Sequence, residues 1–376
     1  MEKSKNRILV ISNMYPGKQS NTYGIFVKNQ VDAIKENLND VDVVAVKDPR
    51  VGRFFVIKKY LFWLVQIMLI LLLKGRKYDI VHAHYAFPSG LFGLVFKKIF
   101  GTKLVVTSHG GDIDKMSKKG PFIFNQTKTI LKNTDSIIAV GEELKEEIIE
   151  KFGIEQDKIK VMNMGVNRDI FLPVDKDEAK EHLGIDREKF NLLYVGNYIE
   201  AKGLLELIEA YKNLKVTYPF LELNLIGSFK QESFRRKVMD KINIDEIEGI
   251  TIHASKSQNE VAKWMAASDV FVLPSHIEGF GLVALEAMST HTPVVGSDVG
   301  GLSYLLDNDA GILINAKDVT SLGKGIEEVI NNKHIRQRLV QQGEIKAQEN
   351  DQKQILIQLL KTYDDLYPNK QAVQNS

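Results

Sequence analysis

Residues 271–301, FVLPSHIEGFGLVALEAMSTHTPVVGSDVGG, constrain the fold of this chain more than any other stretch. Phe271, Val272 and Leu273 form an apolar β-type run that Pro274 closes. The turn from Ser275 to Gly281 follows. Leu282, Leu285 and Met288 then recur at helical spacing until Thr292-Pro293 stops the helix, and Val294-Val295 begins the next strand. This is a strand–loop–helix–strand unit with a glycine-flanked acidic residue at the helix N-terminus.

A helix N-terminus offers free N–H groups and the positive end of the dipole, so it suits a phosphate. Gly279 and Gly281 let a ligand approach the backbone, with Phe280 and Leu282 beside them. Glu278 in the same loop repels a bare phosphate. A ligand carrying both phosphate and hydroxyls resolves the conflict, because carboxylates accept hydrogen bonds from sugar hydroxyls. Glu286 lies about 7 Å further along the helix axis. Two carboxylates around a phosphate-binding turn fit a nucleotide sugar, one on the sugar and one on the ribose. A helix-capping Glu278 with a solvated Glu286 is the alternative, and spacing alone does not choose between them.

PSHIEGFGLVALEAMSTHTPVVGSDVGG resembles the donor-site signature of the retaining glycosyltransferases of family 4, which have the GT-B fold. NMYPGKQSNTYGIFV, VHAHYAFPSG, TSHGGDID, VMNMGVNRDIFLP and LLYVGNYIEAKGLLELIEAY match in the expected order along the chain. The resemblance implies an α/β protein of two Rossmann-like parallel-sheet domains facing across a cleft, with a C-terminal helix crossing back to the first. The expected limits are an acceptor-side domain over 1–170, a linker over 171–190, a nucleotide-sugar domain over 191–345, and a crossing helix with a polar tail over 346–376.

Alternation of strand and helix patterns in both halves independently calls for two parallel sheets with helices on their faces. The chain has 376 residues, enough for two domains. It contains no cysteine, which excludes disulfides and thiolate metal sites and fits a reducing cytoplasm. The basic start, Lys3, Lys5 and Arg7, runs into Ile8–Ile11, an apolar run too short for a signal sequence and read here as the first strand. Net charge is +2, but residues 50–132 hold fifteen Lys and Arg against three acids, +12, leaving −10 for the rest. A basic half implies an anionic partner. The chain has no recognisable nucleic-acid module.

Within that basic half, residues 53–73 are the most apolar stretch, and from Leu61 to Leu73 only Gln66 is polar. Thirteen residues are too few to span a bilayer. Three readings stay open: a helix packed under the sheet, an interfacial helix resting on anionic lipid through residues 53–77, or, least favoured, a true span. The second makes the protein cytoplasmic and peripheral on the inner face of the cell membrane.

His84 and His109 fall at the carboxyl ends of predicted strands, where ligands gather in parallel sheets. Asp112-Ile113-Asp114 is formally D-x-D, but the same pattern recurs at Asp40/Asp42, Asp175/Asp177 and Asp307/Asp309, so it identifies no metal site. We expect no metal and no cofactor. The resemblance places Gly24 in the loop facing the donor, His109 near the reacting carbon, and His84 and Asp112 on the acceptor side. It places Lys202 on the donor diphosphate, Glu278 on the sugar and Glu286 on the ribose. Asn197 stands where the family usually carries an Arg, and an amide offers only neutral hydrogen bonds. The implied activity moves a sugar from a nucleotide-sugar donor to a lipid-linked or polysaccharide acceptor in cell-envelope glycan synthesis. A nucleotide-sugar epimerase or hydrolase of the same fold and a non-catalytic sugar-binding partner subunit are the competing readings.

Overall fold

The computed structural model describes residues 6–38 and 40–367. The basic residues Lys3 and Lys5 and the polar tail from Pro368 lie outside them. Contacts divide the chain into two units: Gly165–Asp351 forms one, and the residues up to Met164 form the other together with those from Gln352 onward.

The first unit runs β1 (Ile8–Ser12), α1 (Ile25–Asn37), β2 (Val41–Ala45), α2 (Arg53–Lys74), β3 (Ile80–His84), α3 (Leu91–Phe100), β4 (Lys103–Ser108), α4 (Pro121–Asn133), β5 (Ser136–Ala139), α5 (Glu142–Phe152) and β6 (Ile159–Val161). Its six strands are parallel, in the order β2-β1-β3-β4-β5-β6. Both faces are covered, so β1 reads as a continuous apolar run rather than an alternating one. Period two still sorts its side chains. Leu9 and Ile11 join the core with Trp63, Leu94 and Ile130. Ile8 and Val10 join the opposite core with Val27, Val31 and Ile34.

The second unit runs α6 (Lys176–Leu183), β7 (Phe190–Tyr198), α7 (Leu204–Thr217), β8 (Leu221–Phe229), α8 (Glu232–Ile244), β9 (Ile250–Ala254), α9 (Gln258–Ala266), β10 (Val270–Leu273), α10 (Leu282–Ser289), β11 (Val294–Ser297), α11 (Gly300–Leu306), β12 (Ile312–Ile314), α12 (Val319–Asn331) and α13 (Lys333–Glu349). Its parallel sheet has the order β12-β11-β10-β7-β8-β9. Strand order reverses between β1 and β3 in one sheet and between β7 and β10 in the other. Such switch points open a crevice at the carboxyl ends of the strands.

The boundaries differ from the sequence reading. Residues 171–190 are not a free linker. Phe171 lies in the second unit's core with Leu183 and Ile185 against it, and buried Lys180 reaches Asp269 at 2.9 Å. The last helical stretch breaks at Asn350-Asp351. α13 stays with the second unit, and α14 (Gln352–Asp365) returns to the first. There Ile355, Leu356, Leu359 and Tyr363 pack among Ile8, Val10 and Ile80. Each such side chain contributes about 1.5–3 kcal/mol when fully buried.

α2 divides its surface. Trp63, Ile67 and Leu71, four residues apart, are buried against the sheet, and the Trp63 indole donates to the Val44 carbonyl at 3.3 Å. The remaining faces are exposed along the helix, so the stretch is only partly a core helix.

Candidate active site

In the second unit, two loops meet at the switch point. The β7–α7 loop carries Asn197 and Lys202, and the β10–α10 loop carries Ser275 to Gly281. They pack too closely for a side chain at Gly203, where a Cβ stands 1.9 Å from the Pro274 carbonyl oxygen and φ is +67°. The His276 N–H donates to the Ala201 carbonyl at 2.9 Å, and the His276 ring meets the Glu206 carboxylate at 2.8 Å.

This clamp brings Lys202 and Glu278, 76 positions apart, into an ion pair of 2.5 Å. The Ser275 hydroxyl donates to the same Glu278 oxygen, Oε2, at 3.2 Å. Oε1 of Glu278 has no hydrogen-bond partner among the described residues. Neither α7 nor α10 has a side-chain cap at its N-terminus: Gly203 and Gly281 stand at the cap positions. Their leading N–H groups therefore remain available beside the lysine, the arrangement that binds anions. Glu278 does not cap α10, so the capping alternative fails.

Glu286 lies on the second turn of α10. It is half-buried, and Gln258 of α9 donates to its Oε1 at 3.5 Å. Burial pushes its carboxyl up to about 8. It is thus not a solvated surface acid. Asn197, at the end of β7, is exposed, and its side chain meets no partner among the described residues. Gly279, Phe280 and Leu282 line the same turn, and the Gly279 carbonyl abuts Gly301 of α11.

In the first unit the strand ends gather three histidines. His84 Nδ1 and His109 Nε2 share a hydrogen bond of 3.1 Å. The His84 ring stacks on both neighbours, with centroids 5.4 Å from His109 and 4.6 Å from His82. His82 is locked from both sides, by the Tyr363 hydroxyl of α14 and the Thr107 hydroxyl, each at 2.7 Å. His109 is half-buried between the Phe26 and Tyr85 rings, both at 4.8 Å. Burial lowers the pKa of His82 and of His109 to about 3, and burial followed by both neighbours holds His84 well below the ordinary range. The stack is neutral at physiological pH. Nε2 of His84 is a buried atom without a hydrogen-bond partner among the described residues.

Asp112 is fully buried and its carboxylate is occupied by its own turn and by the segment that follows β3. It accepts from the Ala86 N–H at 2.7 Å, the Ser108 hydroxyl at 2.9 Å and the His109 N–H at 3.2 Å. Its place is to shape the His109 turn rather than to face a ligand. Gly24 stands at the uncapped N-terminus of α1. The structure thus pairs Lys202 with Glu278 and His84 with His109, places Glu286 on the helix that begins at the Glu278 loop, and turns Asp112 inward. Ser275, Gln258, His82 and Tyr363 were missed. Ser275, three residues before Glu278, carried a local signal; the other three meet their partners only through long-range packing.

Residues 4–170 match the family described as Glycosyltransferase Family 4, and residues 175–346 match Glycosyl transferases group 1. An uncharacterized glycosyltransferase of Methanocaldococcus jannaschii is 30% identical over 298 residues, covering 78% of each chain. Among solved structures, sucrose-phosphate synthase from Thermosynechococcus elongatus superposes with a TM-score of 0.81 at 22% identity, covering 96% of this chain and 99% of that one. Anabaena HepE in complex with UDP-glucose superposes with a TM-score of 0.77 at 18% identity, covering 96% and 100%. At these identities the structural matches speak for the GT-B fold.

Proposed function

Because this chain belongs to the family 4 glycosyltransferases, we propose that it moves a sugar from a nucleotide-sugar donor to a lipid-linked or polysaccharide acceptor, with retention of configuration and without a metal. The observation that carries the reading is the convergence of Lys202, Glu278 and two uncapped helix N-termini at the second unit's switch point. The UDP-glucose complex of HepE, a protein of the same fold, supports a donor of this class.

Without donor, the Lys202 ammonium rests on Glu278. A diphosphate carries more charge than one carboxylate and draws Lys202 toward itself, with the α7 and α10 amides completing the cradle. Oε1 of Glu278 then accepts from sugar hydroxyls, and Glu286 accepts from the ribose. As the glycosidic bond breaks, negative charge grows on the leaving phosphate, and preformed donors stabilise it most at that moment. Lys202 and the helix N-terminal amides of this chain supply that charge stabilisation, so no metal is assigned to it. No side chain is assigned as nucleophile. Attack comes from the face of the departing group, and a leaving phosphate oxygen takes the acceptor's proton.

His109 lies near the reacting carbon, and His84 beside it serves the acceptor side. A neutral His109 donates or accepts one hydrogen bond to a sugar hydroxyl without competing for the phosphate. The protein acts in the cytoplasm at the inner face of the membrane, in cell-envelope glycan assembly.

A thermal-shift screen of nucleotides and nucleotide sugars tests the donor, because a ligand that binds only the folded state raises the melting temperature. The best hit should fail to shift Glu286→Ala and should be turned over with chelator present. An equal shift in that variant overturns the ribose assignment. Loss of turnover in chelator overturns metal independence. Turnover without an acceptor favours hydrolysis or epimerisation.

A further inference from the structure

The first unit carries an apolar face for which sugar transfer has no use. α2 has 22 residues, a rod of about 33 Å at 1.5 Å per residue. Opposite its buried stripe, Leu61, Val65, Met68 and Leu72 recur at helical spacing and are 45–75% exposed. α3 packs beside α2 at the buried stripe and adds exposed apolar residues of its own. Phe92 meets Trp63 edge-on at 5.1 Å, and Val95 and Ile99, three and seven residues further along, are exposed. An apolar surface of this extent marks a contact with something apolar.

Its border is cationic. Lys58 is exposed on α2, Lys98 stands beside Ile99, and Lys118 and Lys119 precede exposed Phe122 at the start of α4. None of these four lysines makes an ion pair among the described residues. A second copy of this chain brings the same uncompensated lysines face to face. An anionic lipid surface supplies both the counter-charge and an apolar interior. By length and composition the helix could cross a bilayer, and only 17% of its most apolar window is buried; what excludes a span is the stripe of Trp63, Ile67 and Leu71, which belongs to the unit's core and cannot also face lipid.

We propose that α2 lies flat in the headgroup–acyl boundary of an anionic bilayer, with its Leu61–Leu72 stripe and Val95 and Ile99 immersed and the four lysines on the headgroups. The sheet sets the placement relative to the site. In a parallel sheet the covering helices run back against the strands, so the N-termini of α2 and α4 lie at the strands' carboxyl edge, the edge that carries His84 and His109. The start of the lipid contact, at Lys58, Lys118 and Lys119, thus borders the edge with His84 and His109, where a lipid-linked acceptor arrives, while Leu72, Lys98 and Ile99 continue it toward the amino edge. This deepens the acceptor reading given above. Vesicle binding is read without donor or acceptor, so its failure leaves the transfer reaction standing.

The test sediments the purified full chain with phosphatidylcholine vesicles made with and without phosphatidylglycerol. Binding should require the anionic lipid and weaken at about 0.5 M salt. The double variant Met68→Asp/Leu72→Asp should lose about tenfold or more in partitioning while keeping its melting temperature, since both side chains are exposed. Lys58→Glu/Lys98→Glu should weaken binding to the anionic vesicles. Leu72→Trp should shift its emission to the blue when anionic vesicles are added. Unchanged sedimentation of the aspartate variant overturns the proposal. So does a parent that ignores vesicles but forms a dimer in size-exclusion chromatography that the aspartate variant disperses.

Discussion

Replacing Glu286 with Gln separates its ionisation from its shape. Burial pushes the Glu286 carboxyl up to about 8 from an ordinary 4.5. The folded state therefore holds a proton through a range in which the unfolded chain has lost it. Stability is highest below about 4.5 and is lost as pH rises toward about 8. Each pKa unit is worth about 1.4 kcal/mol, so between about pH 6 and about pH 8 this one carboxyl removes about 2–3 kcal/mol. Glu286→Gln has no such proton and keeps an oxygen to accept from Gln258. Its stability relative to the parent should rise by that amount across the window, about 5–10 °C in the second unit's melting temperature. Parallel melts of the two proteins at both pH values cancel every other titration. Above about pH 8, where the parent carries a carboxylate, the same variant should weaken donor binding by about tenfold, because an amide accepts from ribose hydroxyls less strongly than a carboxylate. A parent–variant gap that stays constant from pH 6 to pH 8 refutes the reasoning.

Other consequences follow from the same geometry. Lys202→Ala should lower kcat far more than it raises the donor's KM, since the cation matters most when charge develops on the leaving phosphate; equal effects on both would assign it to ground-state binding. Asn197→Arg adds a bidentate phosphate contact at the exposed end of β7, so donor affinity by calorimetry should improve about tenfold; no gain means the cradle already holds enough charge. Trp63→Ala removes a buried ring and its bond to Val44 and should cost about 3–5 kcal/mol in denaturant melts of the first unit; a loss below 1 kcal/mol contradicts the packing described. The histidine stack predicts acid sensitivity. His82 and His109 titrate near 3 when folded but near 6.5 when unfolded, so stability should fall as pH drops below about 6.5. A melting temperature that is flat from about pH 6.5 to about pH 5 would count against it.

Strand–helix alternation and the doubled α/β architecture are written in local periodicity, whereas the roles expected of most site residues came from the resemblance of their motifs to a family. Leu282, Leu285 and Met288 announce α10, and β1 is visible as an uninterrupted apolar run, because period and glycine placement depend on nearby residues alone. Pairings were not legible. Lys202 and Glu278 are 76 positions apart, His82 and Tyr363 are 281 apart, and only strand order decides that they meet. Hydropathy counts apolar residues without direction, so it flagged residues 53–73 but not that Trp63, Ile67 and Leu71 face the sheet while Leu61 and Leu72 face outward. Polarity likewise made residues 171–190 look like a linker, although Phe171 and Lys180 anchor them to the second unit. Asp112 shows the limit in a single side chain. Its motif suggested a ligand contact, and only the folded loop shows that three hydrogen-bond donors already occupy its carboxylate. Composition and periodicity thus determined which elements form; the direction each side chain faces was decided by packing between elements distant in sequence, where burial and hydrogen bonding are settled.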